Sequence, residues 1–448
     1  MRARPFGVAA VLVVLALIAA ACSTSSNKKS SGTSGTTASG SSGALTASAR
    51  GVTADTIKIG LSYPDLQALA KTGLIKADNG DYGAMATALV NDINKQGGIN
   101  GRKLQLFLGK YAVLGNAPQL AACTKLTEDD KVFMILGGFI GDNNLCATQQ
   151  HSTAVIFGYG AGFNQIALSK ARAPFTTFEA SDERSTAALV KLLDQQGTLK
   201  GKTIGVYGTL TASKPLIDLT VKDLKDAGYS VKDTAINDVP ANDSQAFNAQ
   251  DKVIGTRFKN DGIDLVFVQV TVPPGTNWDA VGYHPAMYTP QSSLVTSGAF
   301  TNGYNKFPVV AGLSATATSE QGYNTPAMVH CRQVWKAATG QDILTQEQEQ
   351  QTGKSTGWPG MTTTCSALQM FVTAAKAAGT NLNYDTWMKA LEGLGTIAMP
   401  ASPIASFAPN KPDGQDSFQL MKMNPAWQPN STGIAELLPV GSQITLKG

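Results

Sequence analysis

Short, unbroken apolar runs followed by glycine recur along the chain. Residues 132–136 (Val-Phe-Met-Ile-Leu) precede Gly137 and Gly138, and residues 154–157 (Ala-Val-Ile-Phe) precede Gly158. Such runs are typical of strands in a parallel sheet that helices cover on both faces, and ligands of such sheets bind beyond the carboxyl ends of the strands. The pattern predicts two buried strands whose exit loops can approach a ligand, although either glycine loop alone could be a tight turn without one.

A helical pattern alternates with the apolar runs. Residues 56–61 and 103–108 also predict strands, and between them Met85, Leu89 and Ile93 recur every four residues, so that one stripe of a helix faces the sheet. The second half of the chain repeats the strand pattern at residues 202–207, 264–268 and 294–296. Strands that alternate with helices predict an α/β fold, here with two doubly wound parallel-sheet units.

The size and charge of the chain indicate how many domains it has and which partners to expect. About 400 residues follow the N-terminal region, more than one hydrophobic core normally serves, so we expect two domains. Charged residues make up only 15% of the chain and the formal net charge is +4, which gives no indication of a nucleic-acid partner. No apolar run after the N-terminal region is long enough to cross a membrane.

The N-terminal region predicts export. Arg2 and Arg4 precede an apolar stretch at residues 8–18, so residues 1–21 are predicted to be a signal peptide. Three alanines directly before Cys22 resemble a bacterial lipobox, in which the cysteine is acylated; ordinary signal-peptidase cleavage at the same alanines is the alternative. Residues 22–50 are rich in Ser, Gly and Thr and predict a flexible linker. We therefore expect an extracytoplasmic protein, lipid-anchored at the outer face of the cytoplasmic membrane.

Four cysteines follow Cys22, an even number that in an exported chain suggests disulfides. Three pairings are possible, and the simplest joins sequence neighbours, Cys123 with Cys146 and Cys331 with Cys365. No Cys-x-x-Cys motif is present and the three histidines are scattered singly, so no metal site is expected.

The motifs of common catalytic sites are missing from the sequence. It contains neither a Gly-x-Ser-x-Gly elbow nor a Gly-x-x-x-x-Gly-Lys-Ser/Thr phosphate loop, and the glycines at 158, 160 and 162 do not have the spacing of a dinucleotide fingerprint. Carboxylates such as Asp182 are expected to be solvated or to cap helices. We therefore predict a protein that binds a ligand without catalysis and without a cofactor.

A family resemblance is carried by residues 51–53, 57–60 and above all 92–103 (Asp-Ile-Asn-Lys-Gln-Gly-Gly-Ile-Asn-Gly-Arg-Lys). These segments resemble the periplasmic-binding-protein type I family, in particular its Leu/Ile/Val-type solute-binding proteins of ABC transporters. The resemblance implies an N-terminal lobe of residues 51–178 and 313–405, a C-terminal lobe of residues 179–312 and 406–448, and a three-strand hinge between them. It also implies the Cys123–Cys146 bridge, whereas the Cys331–Cys365 bridge is inferred from two neighbouring helices.

The resemblance further implies a monomer that captures a small molecule between the two lobes and delivers it to an ABC permease complex. A ligand sensor of the same fold that signals to a membrane receptor is the alternative, and the sequence does not separate the two. The predicted ligand contacts are Ser62, Tyr63, Asp65, Asp142, Asn143, Asn144, Tyr159, Gly160 and Ala161 from the first lobe and Thr209, Gln269 and Ser297 from the second.

The amino-acid-binding members of this family hold the ligand ammonium with an acidic residue of the C-terminal lobe. The stretch that resembles this position is residues 297–300, Ser-Gly-Ala-Phe, and it contains no carboxylate. Burying an ammonium without a partner costs of the order of several kcal/mol. We therefore expect branched-chain amino acids to bind poorly, unless Asp142, Asp65 or Asp182 takes over, and favour a small, partly apolar carboxylate or amide.

Overall fold

The computed structural model describes residues 45–71, 79–113, 115–159, 162–209, 213–240, 243–269, 271, 273–298, 303–428 and 435–447. The predicted signal peptide, Cys22 and the contacts Gly160 and Ala161 lie outside the described residues. Residues 44–448 form one compact unit. Within the described ranges, no helix has both the length and the apolar character that a membrane span requires.

The strands and helices alternate along most of the chain. The strands are β1 (Thr56–Pro64), β2 (Lys103–Tyr111), β3 (Met134–Gly137), β4 (Ala154–Phe157), β5 (Phe175–Thr177), β6 (Ile204–Thr209), β7 (Val231–Asn237), β8 (Leu265–Gln269), β9 (Ala286–Thr289), β10 (Val310–Ser314), β11 (Ser417–Met423) and β12 (Leu437–Thr445). The helices are α1 (Leu66–Lys71), α2 (Tyr82–Lys95), α3 (Ala117–Thr124), α4 (Gln165–Lys170), α5 (Asp182–Gln195), α6 (Lys214–Asp226), α7 (Ser244–Asn260), α8 (Gly275–Asp279), α9 (Ser292–Gly298), α10 (Ser319–Tyr323), α11 (Pro326–Thr339), α12 (Gln346–Thr352), α13 (Trp358–Ala377) and α14 (Tyr384–Glu392).

The first sheet is parallel throughout and has the order β2-β1-β3-β4-β5. Helices cover both of its faces. Met134 and Leu136 of β3 pack in one core with α2 and α13, whereas Ile135 between them packs in a second core with Cys123 and Cys146. Because neighbouring side chains of a strand point to opposite faces, a strand buried on both sides must be apolar at every position. This arrangement explains the unbroken apolar runs in the sequence.

The second sheet has the order β12-β11-β10-β9-β8-β6-β7. Strands β6 to β10 are parallel, and β11 and β12 add an antiparallel edge. Helices α5 and α6 cover one face, and α7 and α8 cover the other. The predicted fold of two doubly wound, mostly parallel sheets is therefore confirmed.

One predicted strand of the second sheet is wrong. Residues 294–296 belong to α9, and the strand of this region is β9, several residues earlier. An apolar run of three residues cannot distinguish a strand from one buried turn of a helix, and here only Val295 of the three is fully buried. The strand exit predicted at Ser297 therefore lies instead at Pro290 and Gln291, directly after β9.

The chain passes between the two sheets three times: after β5, after β10 and before β11. These segments lie side by side. Thr177 pairs with Asp413 as a parallel bridge, Gly414 N–H donates to Thr177 O at 2.8 Å, and Ser417 Oγ donates to Ala315 O at 2.7 Å. The second crossing follows the end of β10, whereas the sequence placed it near Gly312, inside this strand.

Two disulfides cross-link the helices that flank the first sheet. Cys123 of α3 is bonded to Cys146, with a Cα–Cα distance of 6.4 Å, and Cys331 of α11 is bonded to Cys365 of α13, with a Cα–Cα distance of 6.2 Å. These are the pairs of sequence neighbours. His151 lies beside the first bridge, but its Nδ1 is 2.7 Å from the Glu128 carboxylate and both sulfurs are already bonded, so this group is not a metal centre.

Candidate ligand-binding site

The carboxyl ends of β1, β3 and β4 bring Ser62 and Tyr159 together. Ser62 is fully buried and its Oγ donates to Gly138 O at 2.7 Å, while the Tyr159 hydroxyl donates to Ser62 O at 2.7 Å. Gly137 fits between them at φ +96°, where a Cβ would lie 2.3 Å from Ser62 O. The two predicted contacts thus meet, but the Ser62 hydroxyl is already used to fix the exit loop of β3.

Three tyrosines form an aromatic wall next to this point. Tyr63 stacks on Tyr82 with ring centroids 6.0 Å apart, and Tyr159 meets Tyr82 edge-on at 6.3 Å. Burial raises the pKa of each phenol above its ordinary value, so all three are neutral at physiological pH. Tyr82 was missed in the sequence, although it is the first residue of α2 and directly follows the Asp81 cap.

Asp65 and the residues after β3 have differing roles. Asp65 lies 2.8 Å from Lys110 Nζ. Asn144 is buried and its side chain bonds to the backbone of its own loop, accepting from Phe139 N–H at 2.8 Å. Asn143 Nδ2 donates to Ile140 O in the same loop, and Asp142 is exposed. Asn143 and Asn144 therefore shape the loop.

The predicted contacts from the second sheet have different surroundings. Thr209 is half-buried at the end of β6. Gln269 is fully buried, where its Nε2 donates to Thr220 Oγ1 at 2.8 Å and its Oε1 accepts from Thr186 Oγ1 at 3.3 Å, so it lies in the layer between the sheet and helices α5 and α6. Ser297 belongs to α9 rather than to a strand exit.

A cavity of about 160 Å³ lies where the exits of β9 and β10 meet the start of α5. It is lined by Glu179, Ala180, Ser185, Pro290, Gln291, Ser292, Ser293, Leu313, Ser314, Ala315, Ala401 and Gln415. The sequence did not predict these residues, because it placed the exit of the strand at Ser297, several residues after the true end of β9. The true exit, Pro290-Gln291, carries an amide and no acid, so no carboxylate stands at the exit of β9 either.

Asp182 is a buried carboxyl at the first position of α5, directly after the Ser181 cap. Its side chain faces the loop that follows β4: Oδ2 accepts from Gly162 N–H and from Asn164 Nδ2, each at 3.2 Å. The residue is 2% exposed, and its Oδ1 has no hydrogen-bond partner among the residues that the structure describes. Burial raises the pKa of Asp182 to about 7. In the sequence this residue looked like one of the ordinary acids of a first helical turn.

Four charged side chains form a cluster beside the third crossing. Arg184 Nη1 lies 2.9 Å from Asp413 Oδ2, and its Nη2 lies 3.3 Å from Asp416 Oδ1. Lys411 Nζ lies 3.1 Å from the same Asp416 oxygen, and Ser406 Oγ donates to Oδ2 of Asp416 at 2.6 Å. Burial lowers the pKa of Lys411. The charges balance, and the cluster fastens the crossing segment to α5.

Residues 56–426 match the model of a protein family described as periplasmic binding protein. The match covers most of the chain, which therefore belongs to this family of binding proteins. Membership implies an extracytoplasmic location. No curated protein matches the sequence.

Solved structures with the same fold come from several bacteria. A solute-binding protein of an ABC transporter from Rhodopseudomonas palustris BisB5, in complex with 3,4-dihydroxybenzoic acid, has a TM-score of 0.57 and 15% identity, and the match covers 87% of this chain and 98% of that one. A leucine-, isoleucine-, valine-, threonine- and alanine-binding protein from Brucella ovis, in a closed conformation, has a TM-score of 0.59 and 16% identity, over 87% and 95%. A fatty acid ABC transporter substrate-binding protein from Thermomonospora curvata has a TM-score of 0.58 and 13% identity, over 88% and 94%.

Proposed function

We propose that this protein captures a small molecule between two lobes and delivers it to an ABC permease. The observation that carries the proposal is the pair of parallel sheets joined by three adjacent crossing segments, with a polar cavity where strand exits of the second sheet meet those segments. The carboxyl ends of parallel strands are the usual place for a ligand in such sheets. Family membership supports the same function.

We propose two lobes whose second boundary lies at the end of β10: residues 51–178 with 315–405, and residues 179–314 with 406–448. A ligand that contacts both lobes has a higher affinity for the closed state, and so shifts the equilibrium towards closure. Saturation with ligand should therefore reduce the radius of gyration in small-angle scattering. An unchanged radius would contradict capture between two moving lobes.

The proposed ligand is a small, partly apolar molecule with a carboxylate or an amide. The molecules named with the three similar structures, a benzoic acid, amino acids and a fatty acid, all carry a carboxylate. Tyr159, half-buried at the exit of β4, would offer an apolar ring backed by Tyr82 and Tyr63, which suits such a ligand.

Calorimetric titration with matched compounds tests this ligand class. The panel compares aliphatic and aromatic acids and their amides with the alcohols of the same carbon skeleton. We expect at least one acid or amide to bind and its alcohol to bind at least tenfold more weakly, because the alcohol offers fewer hydrogen-bonding atoms. Equal binding of acid and alcohol would contradict the ligand class, and no binding at all would contradict capture of such solutes.

We also propose that Cys22 carries the lipid anchor and that the Ser/Gly/Thr-rich residues after it form a flexible tether. The tether ends before Thr46, whose carbonyl accepts a hydrogen bond from Arg102 at 2.9 Å. The Cys22→Ser variant should leave the membrane fraction and appear in the soluble extracytoplasmic fraction, because one residue carries the acyl chains. Fractionation followed by immunoblotting measures this release, with the unsubstituted protein as control. Retention of the variant on the membrane to the same extent would show that another feature holds the protein there.

A further inference from the structure

The loop after β4 is fastened to the first turn of α5. Asp182 Oδ2 accepts from Gly162 N–H and from Asn164 Nδ2, each at 3.2 Å. The backbone adds a bond in the other direction, because Asp182 N–H donates to Phe163 O at 3.0 Å. Asp182 is 2% exposed, so these bonds are shielded from water.

The next residue of α5 extends this contact. Gln165 N–H donates to Glu183 Oε1 at 2.9 Å. The loop follows a strand of the first sheet, whereas α5 packs on the second sheet through Leu189 and Leu193. The four hydrogen bonds therefore join the two proposed lobes directly, beside the first crossing and in addition to the three crossing segments.

The two carboxyls of this contact have acidic neighbours. Among the residues that the structure describes, neither forms an ion pair, and Arg184 beside them is directed to Asp413. Burial raises the pKa of Asp182 to about 7, and Glu183 and Glu179 add to this effect. Burial also raises the pKa of Glu183, with a contribution from Asp413. The hydrogen bonds from the loop act in the opposite direction but do not outweigh burial.

We propose that residues 162–165, Asp182 and Glu183 form a proton-dependent latch between the two lobes, which holds more tightly when the carboxyls are protonated. A buried carboxyl has no water to solvate its charge, whereas the same carboxyl is hydrated once the loop is released. The latched state therefore binds the proton more tightly, so a lower pH favours it and a higher pH weakens it. The inference rests on the proposed two-lobe function and adds a control of the relative motion of the lobes.

Hydrogen exchange of the ligand-free protein at pH 5, 7 and 8.5 tests the latch. Mass spectrometry of peptides that cover residues 162–165 and 182–183 gives their protection, after correction for the intrinsic exchange rate at each pH. We expect this protection to fall by tenfold or more from pH 5 to pH 8.5. A pKa of about 7 in the latched state and 3.8 in the released state gives about 100-fold for Asp182 alone.

A peptide from the buried strand β3 serves as the internal reference, because only global unfolding exposes it. The latch peptides should be less protected than β3 at every pH. Equal protection of the two would show that the loop is released only when the whole protein unfolds, and would overturn the latch.

Variants that cannot ionise separate the latch from other effects of pH. Asp182→Asn should reduce the pH dependence of the latch peptides, and the double variant with Glu183→Gln should lose it. The control Asp226→Asn removes an exposed carboxylate of α6 that pairs with Lys222, and should behave as the unsubstituted protein does. Circular dichroism checks the folding of all variants.

Two further results would overturn the latch. One is protection of residues 162–165 that does not change with pH in the unsubstituted protein, and the other is an unaltered pH dependence in the double variant. Neither bears on solute capture, because the exchange measurements use no ligand and capture is judged by titration and scattering.

Discussion

Replacing Asp416 by asparagine is expected to lower the free energy of unfolding by about 3–5 kcal/mol, the range for removing one partner of a buried ion pair. Asp416 is fully buried and bonds to Arg184, Lys411 and Ser406. Its loss leaves two largely buried cations, Arg184 and Lys411, beside one anion, Asp413. Urea unfolding at neutral pH, followed by circular dichroism, measures the change.

The control for this prediction is Asp218→Asn. Asp218 pairs with Lys214 one helical turn away on α6, and both side chains are about 60% exposed. Exposed pairs of this kind contribute about 0.3–0.5 kcal/mol. If the two variants lost the same amount of stability, burial would not be the source of the effect, and the cluster would be no more than a set of surface ion pairs.

The buried cluster also fastens the third crossing segment to the second sheet and its helices. Its bonds run from residues 406–416 to α5 and, through Arg184, to the backbone of Leu446 beyond β12. Both α5 and β12 belong to the second sheet and its helices. The same segment pairs with Thr177 of β5 through Asp413 and Gly414, so it is fastened to both halves where the crossings lie side by side.

Burial on both faces made the sheets predictable from the sequence. Residues 132–136 and 154–157 must be apolar at every position because helices cover both sides of β3 and β4. Two features could not be predicted. The run at residues 294–296 was too short to distinguish β from α, and β11 and β12 could not be given a direction because an edge strand pairs either way.

The site was less predictable, because side chains at strand ends alternate between the two faces of a sheet. Gln269 occupies the predicted strand exit, but its side chain points into the helix layer and bonds to Thr220. Ser62 is near the predicted place but bonds to the backbone of the neighbouring loop. Asp182 looked like an ordinary acid of a first helical turn, and only the structure shows that its carboxyl is buried against the loop after β4. The sequence identifies the residue at the end of a strand, but it does not show which group the side chain of that residue bonds to.

Asp182 is expected to make the ligand-free protein less stable as the pH rises from 4 to 8. The carboxyl has a pKa of about 7 in the folded protein, raised by burial from its ordinary 3.8. The folded state therefore holds a proton that the unfolded state has lost over this range, so the stabilisation is complete below about pH 4, falls as the pH rises towards 7, and is gone above it. Three units of pKa correspond to about 4 kcal/mol.

Other buried acids, such as Glu183 and Glu349, also have raised pKa values, so the measurement must be a difference between variants. Urea unfolding at pH 4, 6 and 8 of Asp182→Asn and of the unsubstituted protein should show the variant gaining about 4 kcal/mol relative to it between pH 4 and pH 8, because a neutral amide has no charge to bury. The exposed Asp226→Asn variant should show no such gain. A difference between Asp182→Asn and the unsubstituted protein that stays constant over this range would mean that water reaches the carboxyl in solution.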